Sequence, residues 1–353
     1  MKTLHVPSGT GDGPGPEDTV PAGRARAGLR RPAVLAVLLG MAVVVSICVG
    51  SQPSSLAEAW HAVVTPAGTA MDTTIRELRW PRTVTGIAVG VCLGVAGVLA
   101  QGHTRNAVAD PGLLGINQGA ALAIVAATAM VGQLPPVVQA VLAFGGALLA
   151  SVLVFLIGSA SRRGSSPVTL VLAGAAVSAL CGGLVTAIVL LNEAALDTLR
   201  FWQVGSLAGR TDALPALWPF LLAGLVFAAV NIAALNALAL GEDNARSLGI
   251  SVLRARSTGI AAITLLAGSA VTMAGPVAFA GLLVPHIARA LAGADYRRLI
   301  PAAAVAGAAL MLFADTAGRV IARPGELSVG VVLAIIGAPF FVHLARRRRL
   351  VAV

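Results

Sequence analysis

The stretch RWPRTVTGIAVGVCLGVAGVLAQGHTRNAVADPGLLGINQGAA, residues 79–121, decides the fold of this chain. It opens on two arginines, Arg79 and Arg82, and continues as an apolar run stepped with glycine, which a polar turn at residues 106–111 ends. Residues 83–102 carry no charged side chain and no histidine. A run of roughly 20 apolar residues crosses the hydrocarbon core of a bilayer as a helix. The stretch therefore predicts a membrane-spanning helix with arginines at one end.

The composition extends this prediction to the whole chain. Of its 353 residues, 57% are hydrophobic and only 11% are charged, and the mean hydropathy is +0.87, whereas soluble proteins carry about 25% charged residues. By the rule of roughly 20 apolar residues per span, the chain has about ten spans, near residues 32–50, 83–101, 113–132, 137–157, 168–191, 214–236, 258–276, 280–292, 299–316 and 328–345. Lipid offers no hydrogen bonds to the backbone, so the spans must be helices. The sequence predicts an all-α polytopic membrane protein with one transmembrane domain, residues 32–345.

The distribution of basic residues predicts the orientation. If ten spans alternate, most of the 25 Lys and Arg residues fall on one side, and cytoplasmic loops carry this excess. Both termini are then cytoplasmic: residues 1–31 as a disordered tail rich in Gly and Pro, and residues 346–353 as a basic tail. The net charge of +10 follows from this bias and from attraction to anionic lipids, so it does not predict nucleic-acid binding. A smaller outer set of arginines, including Arg79, Arg82 and Arg319, needs another explanation.

Several kinds of chemistry are excluded or disfavoured. The only lysine is Lys2, so the chain cannot contain a phosphate-binding loop. It has no H-E-x-x-H or C-x-x-C motif, and no catalytic set or metal site can be assembled. A membrane-embedded enzyme is therefore disfavoured. Secondary carriers usually hold ionisable residues within their spans, but here Asp110 and Asp315 lie only near span ends, which disfavours a carrier that works without an ATPase.

Six segments, in order along the chain from residue 79 to the C-terminal region, resemble one family. They are RWPR (79–82), RNAVADPGLLGINQGA (105–120), FWQVGSLAG (201–209), LNALALGEDNARSLG (235–249), AGPVAFAGLLVPHIAR (274–289) and ADTAGRVIARPGELSVGVVLAIIGAPFF (314–341). The chain resembles the permease subunit of the ATP-binding-cassette importers for iron-siderophores and cobalamin, the type II importers. One departure is Ala107, where the family usually has proline.

The resemblance implies a permease without a cofactor of its own. It implies two cytoplasmic ATP-binding subunits that hold ATP and Mg, an extracytoplasmic substrate-binding protein, and a second permease subunit, either a copy or a paralogue. The membrane would be the bacterial cytoplasmic membrane. An iron(III)-siderophore is the expected cargo because that class is common in the family, and cobalamin and haem remain open.

The resemblance also implies roles for the outer arginines. In the family, acidic residues of the binding protein dock on arginines at the positions of Arg79, Arg82 and Arg319. The planar guanidinium suits this role because it can hold a carboxylate in two parallel hydrogen bonds. Snorkelling to lipid phosphates is the alternative.

Two further segments have roles in the family. The inner loop at about 238–256 corresponds to the element that couples the permease to the ATPase, and it contains Gly241, Glu242, Ala245, Arg246, Leu248 and Gly249. A segment that follows the fifth span corresponds to a gate or outer vestibule, and it contains Phe201, Trp202, Gly205 and Ser206. Aromatic residues at this depth are otherwise interfacial anchors.

Glycine and proline predict local packing. Gly86, Gly90 and Gly94 form a ladder along the second span, where the absence of side chains lets a neighbouring helix approach closely. We expect packing within one bundle, and a dimer seam is the alternative. Pro276 and Pro285 each lack a backbone donor, which predicts a short, irregular eighth span.

Overall fold

The computed structural model describes residues 22–50, 52, 54–159, 167–209 and 213–346. Within these residues the chain folds into fourteen α-helices: α1 (Ala22–Cys48), α2 (Leu56–Val64), α3 (Ala70–Thr73), α4 (Trp80–Thr104), α5 (Ile116–Val131), α6 (Pro136–Ser159), α7 (Pro167–Leu191), α8 (Glu193–Gln203), α9 (Leu214–Ala239), α10 (Glu242–Ser247), α11 (Val252–Ala274), α12 (Ala280–Ala292), α13 (Tyr296–Ile321) and α14 (Val329–Arg346). A π-helical segment, Thr74–Arg79, joins α3 to α4, and a 3₁₀ turn, Pro111–Leu114, precedes α5.

Ten of the described helices coincide with the ten predicted spans. Six helices are long and apolar enough to cross a membrane, namely α4 with the segment before it, α6, α7, α9, α11 and α13. Shorter apolar helices occupy the other four positions, in α1, α5, α12 and α14. The predicted all-α architecture is confirmed, and α12 begins and ends where the eighth span was expected.

The first helix differs from the prediction at its start. Helix α1 begins at Ala22, so residues 22–31, which were expected to belong to a disordered tail, are helical. Alanine and arginine are among the strongest helix formers, and residues 22–31 are rich in both. The rest of the expected N-terminal tail, residues 1–21, and residues 347–353 of the basic tail lie outside the described residues.

Helix α4 lies at the centre of the bundle, in contact with α9, α11, α12 and α13. In its most apolar window 78% of the residues are buried, whereas the figure for α7 is 17%. Helices α6, α7 and α9 therefore form the outside of this chain, and α4, α11 and α13 form its interior.

The glycine ladder lies inside this interior. A Cβ atom at Gly90 would overlap the carbonyl oxygen of Gly307 in α13, and one at Gly94 would overlap that of Ala303. Gly86 faces the side chains of Leu312 and Leu207. The ladder thus packs α4 against α13 within one chain, which favours bundle packing over a dimer seam.

A break between α11 and α12 interrupts the helical backbone. Gly275 (φ 74°) ends α11, and Phe279 adopts a left-handed conformation (φ 64°) before α12 begins. Backbone groups at the break find partners: the Ser206 amide donates to the Ala274 carbonyl at 2.7 Å, as low-dielectric surroundings require. Pro276 lies in the break as expected, but Pro285 lies within α12, which continues through it.

Candidate functional site

A cavity of about 500 Å³ opens at the bundle end that the charge distribution predicts to be outer. Its lining includes all three predicted docking arginines together with Glu77 and Glu326. The π-helical segment and α4 bring Arg79 and Arg82 to this end, and the last turns of α13 bring Arg319. The cavity therefore assembles a set of charges from distant parts of the sequence.

Arg82 is paired with two carboxylates. Its Nε lies 3.0 Å from Asp315 Oδ2 and its Nη2 lies 2.8 Å from Asp315 Oδ1, a two-point fork of the kind that guanidinium favours. Its remaining Nη1 donates to Glu326 Oε2 at 2.7 Å. The Asp315 side chain is 1% exposed and that of Glu326 is 38% exposed, so Glu326 is the partner that solvent can reach.

Arg319 is buried on the other side of Asp315. Its Nε forms an ion pair with Asp315 Oδ2 at 3.2 Å. Its Nη1 donates to the Ser46 carbonyl at 3.0 Å, and its Nη2 donates to the hydroxyls of Ser46 and Thr316. Arg319 therefore ties the outer ends of α13 and α1 together.

The Arg79 side chain caps the C-terminal end of α1. Its Nη1 donates to the Ile47 carbonyl at 2.8 Å, to the Cys48 carbonyl at 3.2 Å and to Ser54 Oγ at 2.9 Å. Its Nη2 donates to the Gln52 carbonyl. The last carbonyls of a helix have no intrahelical partners, and Arg79 satisfies them from inside the protein.

The three arginines thus lie close together but differ in burial and in their hydrogen-bond partners. Arg79 and Arg319 are buried, with 5% and 3% of their surface exposed, and hydrogen-bond internally. Neither extends to lipid, which disfavours the snorkelling interpretation for these two. Arg82 pairs with Glu326, a carboxylate that solvent can reach, and Arg76 is exposed on the π-helical segment nearby.

The predicted coupling residues form a compact unit at the other end of the bundle. Gly241 (φ 116°) turns the chain out of α9, and Gly249 (φ 80°) turns it towards α11, in conformations that favour glycine. Between them α10 buries Ala245 completely, while Arg246 and Leu248 are exposed.

Charge pairs connect α10 to its surroundings. Glu242 Oε1 accepts a hydrogen bond from Arg256 Nη2 at 2.5 Å, and Glu242 Oε2 lies 3.5 Å from Arg246 Nη2. Arg246 also pairs with Asp243 at 3.1 Å. Arg256, in the second turn of α11, had not been singled out from the sequence.

The predicted gate residues divide into two environments. Phe201 is 77% exposed, whereas Trp202 is buried in the main apolar core. Gly205 (φ 67°) lies against the Pro276 carbonyl, and its own carbonyl accepts from the Gly330 amide at 3.0 Å. Segment 201–206 therefore contacts both the α11–α12 break and the start of α14, and Trp202 anchors it.

An open groove of about 550 Å³ runs beside this segment. It is lined by Arg200, Gln203, Val204, Pro276, Ala278, Gly330, Val331 and Ala334. The groove thus exposes an arginine and a glutamine among apolar and small residues.

A side-chain cap holds the turn before α5. Asp110 Oδ1 accepts from the Gly112 amide at 2.8 Å and so caps the 3₁₀ turn. Burial raises the pKa of the Asp110 carboxyl, and this hydrogen bond opposes the rise. In α12, His286 Nδ1 lies 2.9 Å from the Leu282 carbonyl.

Sequence reasoning missed the partners of the arginines. Asp315 and Arg319 are four residues apart on one helix, a spacing that brings side chains together, so this pair could have been found. Arg82 and Asp315 are separated by 233 residues, and no local signal connects them. Among the described residues, no group of three or more His, Cys, Asp or Glu side chains could hold a metal ion.

The fold and the two charged ends define a multi-pass membrane permease. A family model described as the FecCD transport family matches residues 38–347. The chain belongs to the FecCD transport family, and as a permease subunit it is not itself an enzyme.

Individual relatives agree over nearly their full length. The ferric enterobactin transport system permease protein FepD of Escherichia coli is 45% identical over 89% of this chain and 94% of its own length. The probable siderophore transport system permease protein YfiZ of Bacillus subtilis is 38% identical with the same coverage. A solved structure described as an inward-facing conformation of a metal-chelate type ABC transporter superposes with a TM-score of 0.74 at 26% identity, covering 90% of this chain and 99% of that one.

Proposed function

We propose that this chain forms the translocation pathway of an ATP-driven importer for an iron(III)-siderophore complex. The observation that carries the proposal is the 45% identity to the ferric enterobactin permease across 94% of that protein. In this proposal ATP and Mg bind to two separate cytoplasmic ATPase subunits. A second permease subunit completes the pathway, and an extracytoplasmic binding protein delivers the cargo.

The outer cavity supports docking of the binding protein, with unequal roles for the arginines. Arg82 is the residue that receives an incoming carboxylate, because its solvent-reachable partner Glu326 can be exchanged. Arg79 and Arg319 are buried, so they hold α1, α4 and α13 in place around Arg82. Exposed Arg76 adds positive charge beside the cavity.

The unit from Gly241 to Gly249 supports contact with the ATPase. Asp243, Arg246 and Leu248 are among its exposed side chains, and together they offer charges of both signs and an apolar group. In the proposed orientation this end, like both termini, is cytoplasmic and the cavity is extracytoplasmic, in a bacterial cell membrane.

Segment 201–206 supports a gate at the outer vestibule. Phe201 is exposed beside the open groove, whereas Gly205 and Ser206 connect the segment to the α11–α12 break and α14. A displacement of the break would therefore move Phe201, with Trp202 as the buried anchor.

Uptake in cells tests the cargo. Cells lacking this chain, and cells complemented with it, are given ferric enterobactin labelled with radioactive iron, with labelled cobalamin and haemin in parallel. We expect loss and restoration of ferric-siderophore uptake, abolished by depletion of ATP. Selective loss of cobalamin or haemin uptake would overturn the cargo, and uptake that survives ATP depletion would overturn the importer mechanism in favour of a secondary carrier.

A further inference from the structure

Helix α10 is attached to the bundle at few points. Its buried residue Ala245 packs with Leu238 at the end of α9 and with Val252 and Ala255 at the start of α11. Among the described residues, the ion pair that joins α10 to a spanning helix is that between Glu242 and Arg256, at 2.5 Å. The Glu242 side chain is 29% exposed and that of Arg256 is 9% exposed, so the link runs from the surface into the bundle.

Arg256 belongs to a helix that connects the two ends of the protein. Helix α11 has 23 residues, a length of about 35 Å at 1.5 Å per residue. Its first turns carry Arg256, and its last carbonyl, that of Ala274, accepts the amide of Ser206 in the proposed gate. Helix α11 also packs closely on α4, where Gly259 leaves no room for a Cβ beside the His103 ring. A movement of α10 that displaces α11 would therefore also displace Ser206 in the proposed gate.

We propose that Arg256 is a positioning residue for energy coupling, and that its ion pair with Glu242 transmits movement of α10 to α11. This inference rests on the proposed function. Ala245 is a single methyl-sized contact, which can slide, whereas a guanidinium–carboxylate pair fixes direction as well as distance. Arg246, on the exposed side of Glu242, places the same carboxylate within reach of the surface that would meet the ATPase.

The test uses the complete complex of permease, its co-purified ATPase and binding protein, reconstituted into liposomes. The readout is the ratio of ferric enterobactin transported to ATP hydrolysed. We expect Arg256→Gln and Glu242→Gln each to lower this ratio roughly tenfold, within the 5- to 150-fold range typical of coupling between sites. ATP hydrolysis and co-purification of the ATPase should persist. Arg256→Lys keeps the charge and should recover part of the ratio.

Two comparisons make the result specific. Arg298→Gln removes an exposed arginine from the first turn of α13, outside the predicted coupling loop, and should leave the ratio unchanged. The double variant Arg256→Gln/Glu242→Gln should have a ratio no lower than that of the more impaired single variant, because both substitutions remove the same Glu242–Arg256 ion pair. A normal ratio in Glu242→Gln, or losses that multiply in the double variant, would overturn the inference. Because Glu242 is partly exposed, Glu242→Gln tests the inference even if Arg256→Gln does not fold. Absence of ATP-driven transport by the wild-type complex would instead overturn the proposed function.

Discussion

At the scale of single residues, substitutions of Arg82 and Glu326 should change the affinity for the binding protein in opposite directions. Arg82→Gln removes the guanidinium fork but leaves Asp315 paired with Arg319, so the fold should persist. We expect binding-protein affinity to fall at least tenfold, since hydrogen bonds to charged groups contribute about 1.5–3 kcal/mol. Glu326→Gln removes a competing carboxylate and should raise the affinity up to about fivefold, the equivalent of 1 kcal/mol for a partly exposed pair.

Surface-immobilised complex in lipid nanodiscs would measure both affinities at two salt concentrations. The gain from Glu326→Gln should shrink at high salt because exposed charges are screened. A weaker affinity for Glu326→Gln would mean that Glu326 takes part in docking rather than competing with it.

Arg79 has a different predicted effect, on stability. Arg79→Ala leaves the carbonyls of Ile47 and Gln52 without this donor, whereas the Cys48 carbonyl keeps the Ser54 amide. Each buried acceptor left unpaired costs about 1–3 kcal/mol. We expect a lower melting temperature in detergent and less permease in the membrane, with normal uptake per folded molecule. Arg76→Ala, at an exposed position of the same π-helical segment, is the control and should melt like the wild type. Normal stability of Arg79→Ala together with lost uptake would favour a direct docking role.

The arginines also show where residue-level prediction stops. Their position at one end of the bundle followed from the sequence, because Arg79 and Arg82 precede an apolar run and Arg319 follows one. Their burial did not follow, since it depends on Ser46, Gln52 and Asp315, which tertiary packing brings near. A guanidinium at a span end carries the same local signal whether it faces solvent or caps a neighbouring helix.

At the scale of elements, the close contact between α4 and α13 is the feature most sensitive to side-chain size. Gly90 and Gly307 each present a carbonyl oxygen where the other would carry a Cβ. Gly90→Val should therefore force the helices apart, at a cost of about 1–3 kcal/mol or more for overpacking. Gly145 in α6 has open space around its Cα, so Gly145→Val is the matched control. Proteolysis of the purified variants would reveal loosening of the bundle in Gly90→Val alone, and equal resistance of both variants would contradict the role of the ladder.

The sequence predicts the helices that cross the lipid better than the helices outside it, because lipid restricts the conformations that the backbone can adopt. A helix lies at each of the ten predicted span positions, because long charge-free windows admit only helices in a bilayer. The segments outside the spans carry no such constraint: α2, α3, the π-helical segment and the helical conformation of α8 were not predicted. Helix α8 is capped by Asn192, whose side chain accepts from the Ala195 amide, and Asn is a favoured N-cap residue, so this helix had a local signal that was overlooked.

At the scale of the whole molecule, the exposed surface has two characters. Helices α6, α7 and α9 all expose large apolar side chains, which suits lipid. Helix α7, however, has the smallest buried share among the long apolar helices described, 17%, and it leads directly into α8, where Arg200 and Gln203 line the open groove. An exposed arginine and glutamine next to an apolar helix are poorly matched to lipid but suit a pathway closed by a second permease.

This contrast predicts which face meets the second permease subunit. Leu184 of α7 and Val226 of α9 are both exposed apolar residues within long helices, 46% and 59% exposed. With Cys48, Cys92 and Cys181 replaced by alanine, Leu184→Cys and Val226→Cys are each labelled in native membranes with a thiol-reactive photocrosslinker. We expect Leu184→Cys to capture a second permease polypeptide, and Val226→Cys to react with lipid, because α7 leads directly into α8, whose Arg200 and Gln203 line the groove. The mass of the captured chain distinguishes a copy from a paralogue. Capture from Val226→Cys alone would place the pathway on the opposite face of the bundle and would remove the groove of Arg200 and Gln203 from it.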